Sequence, residues 1–73
     1  MTEIRNTLAA SLRANRASRR LTQQDVADRI GTSKESISNW ENGENAINVD
    51  ALVRLADFYG VSLDALVGRE VSA

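Results

Sequence analysis

A helix of fewer than ~12 residues does not persist alone in water, and residues 22–43 carry two shorter candidates in a row. The first opens at Thr22. Thr22, Gln23, Gln24 and Asp25 approximate a capping box, with the hydroxyl accepting an orphan backbone N–H and the acid answering three residues later. Val26, Ala27 and Ile30 form its apolar stripe, and Gly31 supplies the left-handed stop. Thr32 and Ser33 then cap the second, from Lys34 to about Asn42, which ends at Gly43. Ser33 is the expected cap because it turns Ile37 and Trp40 inward; Thr32 would shift the start by one residue. Only Gly31, Thr32 and Ser33 join the two segments, so they must cross at a steep angle and pack against something larger, in the geometry of a helix-turn-helix.

The remaining chain supplies that support. A helix over about residues 3 to 19 carries Ile4, Leu8 and Leu12 at four-residue steps, with Ala9 alongside. Arg13, Arg16, Arg19 and Arg20 crowd its last turn, where cations suit the helix dipole. Arg13, Arg16 and Arg20 share a face, and Arg19 points elsewhere. After the polar loop GENAIN, a helix from about Val49 to Tyr59 places Leu52, Leu55, Ala56 and Tyr59 on one face and ends at Gly60. Ser62 caps a last short helix through Val67. The expected fold is all-α: five short helices around one core, a single domain over 1–73 with its core at about 4–68. Proline is absent and there is one each of Trp, Tyr and Phe, which suits helices better than a sheet.

Composition narrows the function. Without cysteine there is no disulfide, thiolate nucleophile or zinc knuckle, and without histidine the commonest general base and metal ligand is missing. No apolar run approaches the ~20 residues of a membrane span, and the N-terminus lacks a signal-peptide core. The expectation is a cytoplasmic, soluble protein that is not an enzyme and needs no cofactor or metal. The net charge of -1 conceals an asymmetry. Residues 1–40 hold seven basic and four acidic residues, and residues 41–73 hold two and six. Such a split suggests two faces with different partners.

If Ile37 and Trp40 face inward, the outer face of the third helix is left to Lys34, Glu35, Ser38 and Asn39. A helix about 10 to 12 Å across fits the major groove of B-form DNA, about 12 Å wide. Short polar groups near the start of such a helix read base edges: Lys donates to guanine, Glu accepts from cytosine, and Asn pairs two-pronged with adenine. Gln23, in the first turn of the preceding helix, and Asn42 are amide donors placed for phosphates, which position without specifying.

The stretch TQQDVADRIGTSKESISNWENG resembles the helix-turn-helix of the Cro and lambda-repressor type of DNA-binding domain, and INVDALVRLADFYGVSLDAL resembles the fourth and fifth helices of that family. The resemblance spans roughly residues 8 to 68. It implies a five-helix domain that binds operator double-stranded DNA, usually as a dimer. Base reading would fall on Lys34, Glu35 and Asn39, with Ser33 and Ser38 as helpers, and phosphate clamping on Gln23 and Asn42. Arg16 and Glu41 would form an inward-facing pair, with the Arg16 guanidinium also near a phosphate. NGENAIN resembles the loop of lambda repressor, which would put Asn45 near a base and Asn48 near a phosphate.

Two departures lower the expected affinity: the loop carries Glu44 and no cation, and MTEIRNT is not a basic arm. The acidic half has its own candidate role, self-association through Leu63, Leu66, Val67 and Phe58, left incompletely covered by so small a chain. Two recognition helices about 34 Å apart would demand a near-palindromic site. A different class stays open: a protein-interaction module, such as an antitoxin-like subunit, that keeps this fold but binds another protein.

Overall fold

The computed structural model describes residues 2–68, with side chains from residue 5 onward. Five helices follow in order: α1 (Thr2–Ser18), α2 (Gln23–Ile30), α3 (Lys34–Glu41), α4 (Val49–Tyr59) and α5 (Leu63–Val67). The described residues contain no strand. α3 stops one residue short of the expected Asn42, which takes the half-helical capping position before Gly43 turns left-handed at φ 70°.

The local signals for helix ends act as their chemistry dictates. Thr22 Oγ1 accepts the Asp25 N–H at 3.0 Å, and the Asp25 carboxylate accepts the Thr22 N–H at 2.9 Å. The Thr22 backbone N–H, and after it the Thr22 side chain, holds the Asp25 carboxyl below its ordinary range. Ser33, rather than Thr32, caps α3, accepting the Ser36 N–H at 3.1 Å. Asn48 and Ser62 cap α4 and α5 in the same way. Gly31 adopts φ 77°, and the N–H groups of Gly31 and Thr32 both return to the Ala27 carbonyl, which closes α2 within one residue.

Packing then assembles the helices. α1 lies against α3 and α5, while α2 lies against α3 and α4. Of the expected α1 stripe, Ile4 falls outside the residues whose side chains are described, and Leu8, Ala9 and Leu12 are buried. Leu8 and Leu12 meet Val26, Ala27 and Ile30 of α2, Ile37 of α3, Leu55, Ala56 and Tyr59 of α4, and Leu66 of α5 in one cluster. Trp40 and Leu52 are half-buried and pack against it. Full burial of a Leu or Val side chain is worth ~1.5–3 kcal/mol, so Val26, Leu55 and Leu66, essentially inaccessible to water, are the anchors.

Leu66 corrects one expectation. It is fully buried, not partly uncovered, because α5 settles directly on α1. A Cβ at Gly68 would sit 2.5 Å from Thr7 Cγ2, so a larger residue there would force the Thr7 side chain to shift. Phe58 and Val67 are half-buried, Leu63 is 42% exposed, and α4 adds Val49 and Val53 to the exposed apolar residues.

Candidate nucleic-acid interface

Ile37 and Glu41, one turn apart on α3, are its two buried residues. Ile37 enters the apolar cluster. Glu41 is only 2% exposed, and burial of a carboxylate is tolerable only with partners. Arg16 provides them in a two-pronged arrangement, Nε donating to Oε2 at 2.7 Å and Nη2 to Oε1 at 2.9 Å. Gln23 Nε2 donates to the same Oε1 at 3.1 Å. The hydrogen bond to Glu41 raises the Arg16 pKa above its already high ordinary value, so the guanidinium stays charged throughout the working range. Arg16 Nη1 also donates to the Leu21 carbonyl at 2.9 Å, and Arg13 donates to the Glu41 backbone carbonyl. One carboxylate thus joins the end of α1, the start of α2 and the end of α3.

With its inner side held, α3 turns Lys34 and Glu35 to solvent in its first turn. Ser38 and Asn39 follow one turn later and are half-buried. Ser33 has a prior engagement: its hydroxyl accepts the Ser36 N–H and donates to Ser36 Oγ at 3.0 Å. Asn42 and Asn45 are exposed after α3. Asn48 Oδ1 caps α4 by accepting the Ala51 N–H at 2.8 Å, which leaves its amide N–H groups to donate outward. Lys34, Glu35, Ser38 and Asn39 are therefore brought together on one helix. Gln23, Arg16 and Asn42 lie near its two neighbouring ends, and Asn45 and Asn48 stand in the loop beyond.

Two engagements escaped the sequence reading. Gln23 appeared there only as a phosphate donor, whereas its amide also serves Glu41. Arg19 was seen only to point away from the other arginines. Its guanidinium lies 4.9 Å from the Tyr59 ring centroid and donates to the Tyr59 carbonyl, which ties the end of α1 to the end of α4. Neither partner is detectable from spacing, since each lies 18 or more residues away.

Two capped helices of eight residues, held at a three-residue turn over an apolar core, define a helix-turn-helix domain. The helix-turn-helix family matches the chain over residues 12–66, and the chain belongs to that family, in its Cro and lambda-repressor type. Among curated relatives, the HTH-type transcriptional activator BcrR of Enterococcus faecalis is 33% identical over 55 residues, covering 75% of this chain and 27% of BcrR. The cryptic phage CTXphi transcriptional repressor RstR of Vibrio cholerae is 42% identical over 48 residues, 66% of this chain and 43% of RstR. The chain thus spans well under two thirds of these relatives' length. Among solved structures, the clp gene regulator ClgR of Corynebacterium glutamicum shares the fold, with a TM-score of 0.82 at 24% identity over 90% of this chain and 70% of ClgR. HppE, also solved with Fe(II) and substrate, aligns with a TM-score of 0.75 at 29% identity over 84% of this chain and 34% of its own in the apo form. No helix among the described residues is long and apolar enough to cross a membrane.

Proposed function

We propose that this domain binds double-stranded DNA as part of a transcriptional regulator, with α3 in the major groove. The observation that carries the reading is the division of α3: Ile37 and Glu41 are locked inward, while Lys34 and Glu35 stand free with Asn39 beside them. A helix held this way presents a fixed set of donors and acceptors to base edges. Lys34, Glu35 and Asn39 read bases, Ser38 and Asn45 assist, and Ser33 contributes chiefly as the cap. Gln23, Asn42, Arg16 and Asn48 face phosphates. Arg16 and Gln23 reach them from positions set by Glu41, each with donor hydrogens beyond those given to the carboxylate.

The same reading makes the whole chain one DNA-binding unit acting in the cytoplasm on the nucleoid, as a homodimer on a near-palindromic operator. The exposed Val49, Val53 and Leu63 supply apolar surface for the dimer contact. Repression is the simplest action, by occlusion of a promoter; of the two relatives RstR is a repressor and BcrR an activator. The likeness to HppE spans a third of that protein and a helix-turn-helix-sized region. With neither His nor Cys, the chain acts by binding and not by catalysis.

Selection from a random duplex pool at near-physiological salt tests the proposal. Enrichment of a near-palindrome with half-sites about one helical turn apart is the expected result. On the enriched site, Asn39→Ala should relax the preference at one base pair by about 1–3 kcal/mol, whereas Gln23→Ala should weaken all sequences alike. Uniform weakening by both would remove Asn39 from base reading. Failure of every duplex to bind would favour the protein-interaction role instead.

A further inference from the structure

Five of the described residues have left-handed backbone: Gly31, Gly43, Gly60, Gly68 and Arg20, the last at φ 56°. Glycine takes that conformation without penalty, whereas a side chain with a Cβ is disfavoured there. Arg20 occupies the turn that closes α1, where its N–H returns to the Ala17 carbonyl at 3.0 Å and the Leu21 N–H to the Arg16 carbonyl at 3.2 Å. That is a helix stop for which glycine is the usual residue. A cation needed only for solubility could stand at any exposed position without strain. Here it displaces the residue the turn favours.

The neighbouring arginines are occupied. Arg13 donates to the Glu41 carbonyl, Arg16 to Glu41 and Leu21, and Arg19 to Asn15 and Tyr59. The Arg20 side chain is exposed and makes no hydrogen bond or ion pair with the described residues. Its place in the chain is two residues before the Thr22 cap, next to Leu21, whose carbonyl Arg16 holds, and three before Gln23. In the chain it thus adjoins the segment that holds Arg16 through Leu21 and opens the helix carrying Gln23.

We infer that Arg20 is an additional contact to the DNA phosphate backbone, projected beside Arg16 and Gln23 by the left-handed turn that ends α1. The inference rests on the proposed DNA-binding role and adds to it a residue that neither the motif nor the resemblance supplied. The contact is electrostatic and independent of sequence, so it acts on any duplex.

The test compares the wild type, Arg20→Gly and Arg20→Lys for binding to a mixed-sequence duplex of about 20 base pairs, long enough for two half-sites, as salt is raised from about 50 to 200 mM. Arg20→Gly should flatten the slope of log affinity against log salt by about 0.9 and weaken binding about fivefold near 0.15 M. Its thermal midpoint should rise, because the turn is relieved. Arg20→Lys keeps the charge and should keep both the wild-type slope and the wild-type midpoint. An Arg20→Gly variant with a higher midpoint and an unchanged slope would overturn the contact while leaving DNA binding intact. Equal loss of slope in Arg20→Lys would also overturn it, since the charge would not be the cause. A wild type that binds no duplex in a salt-dependent way would bring down the DNA-binding role itself.

Discussion

Leu55 and Glu41 are almost equally hidden, at 1% and 2% exposure, yet they are held by different physics. Around Leu55 the contacts are apolar and non-directional, so each atom contributes a little and the loss of a few is felt in proportion. Around Glu41 two side chains converge on one carboxylate, which leaves no partial version of the arrangement. Removal of Glu41 takes a partner from both Arg16 and Gln23, and removal of Arg16 leaves a buried carboxylate with Gln23 as its one side-chain donor among the described residues. The apolar cluster decides that the helices associate. The Glu41 hub decides how the end of α3 is set against α1 and α2.

The contrast is broken most sharply at the hub. Glu41→Ala should destabilise the fold by about 3–5 kcal/mol in urea titration, because the Arg16 guanidinium is left uncompensated. The double change Arg16→Met with Glu41→Leu should recover most of that loss. Failure to recover would mean that Gln23 and the backbone contacts, rather than the ion pair, hold the site. In the apolar cluster, Leu55→Ala should cost about 2–5 kcal/mol, but Leu55→Met less than ~1.5 kcal/mol. That graded response is the one the hub should lack, and equal losses from Leu55→Met and Leu55→Ala would erase the distinction.

The smallest effect belongs to a local device. Thr22→Ala should cost about 1 kcal/mol through loss of the α2 cap. The partner of Thr22, Asp25, has its carboxyl held below the ordinary value of 3.8, chiefly by the Thr22 backbone N–H and then by its hydroxyl. Its stabilising contribution is therefore complete above that value and lost as pH falls through the depressed one. Denaturation midpoints measured down an acid series should show a shallower decline in Thr22→Ala than in the wild type. Parallel curves would mean that the backbone N–H of residue 22 alone carries the shift.

Legibility followed the reach of each interaction. Thr22, Ser33 and Ser62 announce helix starts because a cap and its N–H lie three residues apart. The stripes of Val26, Ala27, Ile30 and of Leu55, Ala56, Tyr59 are equally local, since one helix period writes them. The Arg16–Glu41 pair spans 25 residues and was available only through resemblance to a family. Gln23 was open to either a phosphate or a protein acceptor, and nothing in its neighbours marks the acceptor on α3. Leu66 was misjudged for a related reason: the helix that carries it packs on α1, at the opposite end of the sequence, as well as on α4. Arg20 reads as one more basic residue at a helix end, and only the backbone angle sets it apart.

The close seat of Gly68 on Thr7 has a kinetic consequence. Docking α5 on α1 encloses nearly the whole described chain, the largest loop closure this topology requires. Contacts of such separation slow folding, whereas the caps and the α2–α3 turn form from near neighbours. A circular permutant joined across that seat and opened in the loop around Asn45 would turn the most distant contact in the chain into a local one, and the order in which the helices assemble would be free to change.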